Sequence, residues 1–251
     1  MSIFLTALFF LYGTIFGSFY NVVGLRVPKK QSISYPGSAC PQCGHQLKWY
    51  ELIPVISYLL LKGKCKSCRL KIPIKYPAIE LFTGLLFAYS FYYFGFTGEL
   101  FVSLIFVSLL MIITVSDIEY MIIPDRILLF FGVMMVALRI LIPLSPWWDA
   151  FAGAAAGFVL LLLIGIISRG GMGGGDIKLY AVIGLVLGVK LTLLSFFLAT
   201  FIGTAAGLYA IYVKKKSRKE PVPFGPSIAI GALIAYFWGE IFITSYMNLF
   251  F

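Results

Sequence analysis

Charged residues are scarce in this sequence of 251 residues: Asp, Glu, Lys and Arg make up only 12% of it, whereas 61% of the residues are hydrophobic. The mean hydropathy is +0.97. Because no soluble core needs so much apolar sequence, a soluble fold is excluded. The composition instead predicts an all-α, polytopic membrane protein whose immediate surroundings are the lipid bilayer.

Acidic residues are even fewer than basic ones, with 10 Asp and Glu against 20 Lys and Arg and a net charge of +10. Such an excess could favour nucleic acid, but 15 of the 20 basic residues lie in two loops. Ten of them lie between Arg26 and Lys75, and five more lie in the segment 213–220. The positive-inside rule places both loops in the cytoplasm, so we predict no nucleic-acid partner.

No basic residue precedes the first apolar run, so we expect this segment to be a retained helix with its N-terminus outside and not a cleaved signal peptide. Gly13 and Gly17 predict a close helix contact along it. About eight transmembrane helices are predicted, at 2–25, 76–93, 99–116, 126–143, 150–167, 177–189, 191–213 and 225–248. The predicted domains are 1–25, a first helix; 26–75, a cytoplasmic domain; and 76–251, a membrane domain.

The cytoplasmic domain contains all four cysteines of the chain, in two C-x-x-C pairs separated by 21 residues. This arrangement predicts a tetrahedral zinc site, with free thiols as the alternative, because disulfides are rare in the reducing cytosol. His45, the only histidine, is interpreted as a loop residue, with a ligand or supporting role left open. The apolar stretch 52–61 is too short to span and is predicted to be an interfacial or core helix. The predicted ligands are Cys40, Cys43, Cys65 and Cys68.

Aspartates follow apolar runs at two predicted membrane edges, where charge is costly and therefore suggests function. Asp117 and Asp125 lie in one such segment, and Asp176 lies in the other. Two aspartates brought together can share a proton, and the ionised one can then activate water for peptide hydrolysis. The alternative for Asp176 is that it caps a helix beginning at Ile177. Glu119 is interpreted as a solvated loop charge.

Asp176 ends a turn with five glycines at 170–175, of which Gly173, Gly174 and Gly175 directly precede it. Residues without a Cβ allow close approach of another backbone, such as an extended substrate. Two further polar residues stand in apolar helices. Glu80 is interpreted either as a functional acid or as a structural carboxylate that reaches the cytoplasmic surface or pairs with a loop lysine. Asn21 is expected to need a hydrogen-bond partner.

Several separate motifs occur along the chain in one order, and together they are specific. They are GSFYNV at 17–22, CPQCGH at 40–45, SYLLLKGKCKSC at 57–68, SDIEYMIIPD at 116–125 and GGGD at 173–176. In these motifs the chain resembles the bacterial type IV prepilin peptidases, which are membrane aspartic peptidases and N-methyltransferases related in their G-x-G-D signature to preflagellin peptidases and presenilins. The resemblance extends over nearly the whole chain.

The resemblance implies that Asp117 and Asp176 are the catalytic pair, with Asp125 and Gly173–Gly175 in support. It also implies cleavage of type IV prepilins or type II secretion pseudopilins on the cytoplasmic side of the bacterial inner membrane. Methylation of the new N-terminus by S-adenosylmethionine rests on the resemblance alone, because no strand followed by G-x-G-x-x-G and a helix is present. The zinc would be structural, in a domain linked to methylation, and Glu80 and Asn21 are hypothesised to belong to the cofactor pocket.

Two other classes of protein remain as alternatives. Broken helices and membrane carboxylates occur in transporters, and a transporter with a zinc module would also be polytopic. Against it, the aspartates lie at predicted membrane edges, and no two related halves are visible. A pilus or secretion assembly scaffold would leave the aspartate pair unexplained.

Overall fold

The structure is a computed structural model that describes residues 2–169, 171–213, 215 and 222–250. The basic loop predicted at 213–220 therefore lies almost entirely outside the described residues, as does Gly170 of the glycine-rich turn. The regular elements of the described residues are helices, which confirms the all-α class. They are α1 Ser2–Arg26, a 3-10 turn Trp49–Leu52, α2 Ile56–Leu60, α3 Lys75–Phe94, α4 Gly98–Tyr120, α5 Asp125–Leu141, α6 Asp149–Ile167, α7 Gly174–Tyr212 and α8 Gly225–Phe250.

Five helices are long and apolar enough to cross a membrane, which confirms a multi-pass membrane protein. They correspond to α1, α4, α6, α7 and α8, at Ile3–Arg26, Gly98–Tyr120, Asp149–Ile167, Gly174–Tyr212 and Gly225–Leu249. Helices α3 and α5 contain 20 and 17 residues and are also largely apolar.

The chain divides into two compact units, Met1–Val115 and Ser116–Phe251. This division falls within α4, whereas the predicted functional boundary lies at residue 75; that boundary stays a prediction. In the first unit, α1 packs directly on α3 through its small residues. A Cβ on Gly13 would lie 2.7 Å from the Thr83 carbonyl oxygen, and one on Gly17 would lie 2.8 Å from Cα of Glu80. The predicted close contact at these two glycines is confirmed.

In the second unit, α7 breaks at Gly188, whose φ of 72° and ψ of 178° are not helical. The chain reverses there, because the rings of Tyr180 and Phe196, on opposite sides of the break, are 5.9 Å apart. A Cβ on Gly157 of α6 would meet both the Tyr180 carbonyl and the Thr192 side chain, at 2.5 and 3.2 Å. Helix α7 is therefore a hairpin of two segments, 174–187 and 189–212, and α6 lies along both.

Two charged side chains bind the backbone on either side of this break. Arg139, which is only 2% exposed, donates from Nη2 to the Val186 carbonyl at 2.7 Å. Asp149 accepts the N–H of Val189 at 3.2 Å. A cation at the end of the first segment and an anion at the start of the second complement the two helix dipoles, so both charges stabilise the hairpin.

Gly188→Ala is expected to destabilise the protein more than an ordinary helix substitution. A positive φ costs a residue with a Cβ about 1–2 kcal/mol, and the added Cβ would lie 2.0 Å from Oδ2 of Asp149. Gly207→Ala is the matched control, because a Cβ there meets nothing within 4 Å and alanine favours helix. Thermal unfolding in detergent measures both variants. Equal melting temperatures would contradict the proposed role of Gly188.

Three predicted boundaries are wrong. Helix α4 continues to Tyr120, so Asp117 and Glu119 lie in its last turns and not in a loop; it ends where Met121 adopts a φ of 54°. Helix α7 begins at Gly174 and not at Ile177, because Gly173 takes the extended N-cap conformation. The stretch 52–61 is not one helix, since a bend separates the 3-10 turn from α2.

Candidate active site

Asp117 lies in the last turn of α4 and is 6% exposed. Its Oδ2 accepts the backbone N–H of Gly225 at 2.6 Å. Gly225 is the first residue of α8, where N–H groups have no partner within their own helix. The N-terminus of α8 therefore stabilises the Asp117 carboxylate, both by this hydrogen bond and by its positive dipole end.

Asp176 is half-buried in the first turn of α7. Its carboxylate accepts the backbone N–H of Gly173, the N-cap residue of the same helix. A Cβ on Gly173 would lie 2.8 Å from Oδ2 of Asp176, so the glycine permits this close approach. The interpretation of Asp176 as the cap of a helix beginning at Ile177 is therefore wrong, because Gly173 is the N-cap residue and Asp176 lies inside the first turn.

The two carboxylates lie close enough to interact electrostatically. Asp117 and Asp176 are 59 positions apart in the sequence; Asp117 contacts the N-terminus of α8, and Asp176 lies in the first turn of α7. Two like charges that interact in this way raise the cost of ionising both groups, which favours a pair that shares one proton. One protonated and one ionised carboxyl group can perform general acid and general base catalysis.

Among the described residues, Asp125 has its observed polar contact with a lysine and not with Asp117 or Asp176. As the first residue of α5 it forms an exposed ion pair with Lys178, whose Nζ lies 2.8 and 2.9 Å from its two carboxylate oxygens. Because Lys178 follows Asp176 by two positions, the ion pair ties the start of α5 to the first turn of α7. Glu119 is in the last turn of α4 and is exposed.

The glycines before Asp176 have different surroundings. A Cβ on Gly175 would lie 2.7 Å from Cβ of Ile123, so Gly175 allows α7 to pack on the segment before α5. A Cβ on Gly174 would meet nothing within 4 Å. Of these two positions, Gly174 has the open space that an approaching backbone would need.

The sequence interpretation missed Gly225. The motif PVPFGPS at 221–227 precedes the last predicted helix, and its prolines predict a rigid entry to that helix but no chemical role. Its position at the start of a predicted helix implies backbone N–H groups that have no partner within that helix. The pattern contained no information on which acceptor those groups would meet.

The four cysteine sulfurs of the first unit lie within 4.8 Å of one another. The Sγ atoms of Cys40 and Cys68 are 3.8 Å apart, and those of Cys43 and Cys65 are 3.9 Å apart. A tetrahedral ion with metal–sulfur bonds of about 2.3 Å requires sulfurs about 3.8 Å apart. The cluster therefore fits a tetrahedral metal ion.

Both C-x-x-C pairs have the same backbone hydrogen bonds. The N–H of Gly44 donates to the Cys40 carbonyl, and the N–H of Arg69 donates to the Cys65 carbonyl, each at 3.0 Å. Hydrogen bonds from the backbone of Cys43 and then Gln42 lower the pKa of the Cys40 thiol to about 6. The first turn thus favours the thiolate form of Cys40, the form that binds metal. At Cys68 the Leu70 backbone also donates a hydrogen bond, but burial and hydrogen bonds with the other three thiols outweigh it and raise the pKa to about 11.

His45 supports the first pair without joining the sulfur cluster. Its carbonyl accepts the N–H of Cys40 at 2.9 Å. Its ring Nε2 lies 3.1 Å from Oε2 of Glu51, whose side chain is only 2% exposed. Hydrogen bonds from the Lys48 backbone and from His45 hold the pKa of Glu51 below its usual value, against the effect of burial. Four sulfurs already complete a tetrahedron, so the geometry favours the loop interpretation of His45.

Asn21 and Glu80 both have partners in the first unit. Asn21 is 7% exposed and donates to the Tyr76 carbonyl at 3.2 Å. Glu80 accepts the N–H of Val55 at 2.8 Å and also bonds to Ser18. These contacts join α1, α3 and the start of α2, and a carboxylate with about four acceptor positions retains capacity for a further donor.

Comparison with known proteins identifies two families along the chain. Residues 11–94 match the bacterial peptidase A24 N-terminal domain, and residues 104–208 match the type IV leader peptidase family. A curated Bacillus subtilis protein named prepilin leader peptidase/N-methyltransferase is 46% identical over 97% of this chain and 98% of its own length. A Pseudomonas aeruginosa protein of the same name is 32% identical over 95% of this chain and 92% of its own.

No solved structure matches this chain. The two matched ranges of this chain include the four cysteines, the aspartate segment and the GGGD turn on which the resemblance rests. The chain therefore belongs to the type IV leader peptidase family and contains the N-terminal domain typical of the bacterial A24 peptidases.

Proposed function

We propose that this enzyme cleaves the leader peptide of type IV prepilins or pseudopilins and then N-methylates the new N-terminal residue. The single observation that supports it best is the pair Asp117 and Asp176, which interact electrostatically at two helix N-termini in a chain of this family. Curated relatives are named for both activities. These names do not favour a transporter, and an assembly scaffold would leave the aspartate pair unexplained.

The pair would act as an acid and a base on one peptide bond. The ionised carboxylate takes a proton from water, and the water oxygen attacks the scissile carbonyl carbon. The protonated carboxyl group donates a hydrogen bond to the carbonyl oxygen, where negative charge develops. When the C–N bond breaks, a proton passes to the leaving amine. Each aspartate accepts one backbone N–H at a helix N-terminus, so either can hold the charge.

The proposed topology has eight spans in the bacterial inner membrane. They are α1, α3, α4, α5, α6, the two segments of α7, and α8. The reversal at Gly188 supports counting α7 twice, and 20 residues of α3 would extend about 30 Å. With both basic loops inside, Asp117, Asp176 and the cysteine cluster all lie on the cytoplasmic side.

We propose that the cysteine cluster holds zinc in a structural role, since four thiolates leave no open coordination position. S-adenosylmethionine would supply the methyl group for the second reaction. Glu80 and Asn21 would hold this cofactor, and the acceptor capacity of Glu80 suits hydroxyl or cationic groups. Supporting roles are proposed for Asp125, Gly173, Gly174 and Gly175 at the peptidase site.

The test is mass spectrometry of a purified prepilin incubated with the protein in detergent, with and without S-adenosylmethionine. We expect loss of the leader in both reactions and a further increase of about 14 Da, one added CH₂, only with the cofactor. A cleaved but unmethylated product would limit the function to the peptidase. Absence of processing with every prepilin and pseudopilin of the source organism would contradict the proposal and favour a transporter or scaffold.

Gly174→Val tests whether the glycine turn admits the substrate backbone. Since a Cβ at this position meets nothing within 4 Å, the variant is expected to fold normally. Filling the open space should lower kcat/KM for cleavage about 10- to 100-fold, because misplacement of substrate by about 1 Å can have that effect. Gly207→Val is the control. Wild-type cleavage by well-folded Gly174→Val would contradict the proposed entry.

A further inference from the structure

The segment Val222–Ser227 enters α8 directly beside the candidate active site. Phe224 precedes the helix, and its ring lies over Gly203 of α7, where a Cβ would come within 2.7 Å of the ring. The carbonyl of Phe224 accepts the N–H of Ile228 at 3.0 Å, which begins the helix. Phe224 therefore anchors the start of α8 against the second segment of α7.

Gly225, the next residue, is buried and presents its N–H to Asp117. A Cβ at this position would lie 2.8 Å from Oδ2 and 2.9 Å from Cβ of Asp117. Any side chain would therefore have to displace the carboxylate or the helix. The requirement for glycine comes from this contact, because φ of Gly225 is not in the left-handed region.

We infer that Phe224 and Gly225 form a positioning element for Asp117, which rests on the proposed peptidase function. Gly203 admits the Phe224 ring, the ring sets the N-terminus of α8, and the Gly225 N–H holds Oδ2 of Asp117. The other oxygen, Oδ1, is then directed to the attacking water or the scissile carbonyl. Phe224 and Gly225 themselves touch no reacting atom.

The first test is Gly225→Ala, assayed for prepilin cleavage with kcat and KM determined separately. Displacement of a catalytic carboxylate should lower kcat about 10- to 100-fold and leave KM within about twofold. Gly132→Ala is the matched control, because its Cβ would have an ordinary contact of 3.6 Å with Val182. An unchanged kcat, or a loss confined to KM, in folded Gly225→Ala would overturn the inference.

A rescue experiment covers the case in which Gly225→Ala does not fold. Gly203→Ala should lower kcat, because the added methyl group pushes the Phe224 ring. The kcat of the double variant Gly203→Ala with Phe224→Leu should be at least about tenfold higher than that of Gly203→Ala alone, because leucine is smaller. Absence of recovery in a folded double variant would overturn the role of Phe224. Asp117→Asn distinguishes failure of the proposed peptidase function from failure of the positioning element. Cleavage by Asp117→Asn would refute the catalytic role of Asp117. If Asp117→Asn is inactive but Gly225→Ala and Gly203→Ala cleave normally, only the positioning element is refuted.

Discussion

Asp117→Asn and Asp176→Asn are each expected to lower the rate of leader cleavage by about 10²- to 10⁴-fold, the usual contribution of general acid and base groups. Asparagine keeps the shape of the side chain, and its carbonyl oxygen can still accept the N–H of Gly225 or Gly173. The repulsion between the two carboxylates disappears. Both variants should therefore fold at least as stably as the wild type, and the loss is one of chemistry.

Asp125→Asn is the matched control for this pair. Asp125 is an exposed partner of Lys178, its side chain being 70% exposed, and such ion pairs contribute about 0–1 kcal/mol. We expect a change in cleavage of no more than about fivefold. Methylation of a prepilin that has already been cleaved should persist in all three variants. Cleavage that survives Asp117→Asn or Asp176→Asn would remove that aspartate from the pair and make Asp125 the next candidate.

Cys65→Ser is expected to abolish metal binding and to reduce methylation at least about tenfold while cleavage is retained. Cys65 is the most buried of the four ligands, at 4% exposure, and a structural zinc site contributes folding free energy directly. The loop between α1 and α3 contains one short helix, a 3-10 turn and two isolated β-bridges, so little regular structure orders it. Metal content and the two activities are measured on the same preparation.

Ser67→Ala is the control for this change, because it removes one oxygen from an exposed position in the same C-x-x-C pair. It should retain metal and both activities. A full equivalent of zinc in Cys65→Ser would contradict four-cysteine ligation. Loss of cleavage with methylation retained would contradict the proposed link between this domain and methylation.

Much of the metal site could be predicted from the sequence, because the ligands of each pair are close together in the sequence. A C-x-x-C pair already places two sulfurs on one turn, and only the pairing of the two turns needs tertiary structure. The close contact at Gly13 and Gly17 was predictable for the same reason, since residues four apart share a helix face. The boundaries of α4 and α7 were not, because Asp117 and Gly174 extend their helices through backbone hydrogen bonds that apolar patterning does not report.

The sequence by itself determined the class and family of this protein. Apolar runs require helices in a bilayer, and the ordered motifs from GSFYNV to GGGD identify the type IV leader peptidase family. Only the tertiary structure decided what surrounds each aspartate. Three segments that are distant in the sequence contribute Asp117, Asp176 and Gly225 to the candidate site. The chain reversal at Gly188 and the packing of Phe224 on Gly203 belong to the same tertiary arrangement. Such meetings depend on packing between helices, which a pattern along one chain segment does not specify.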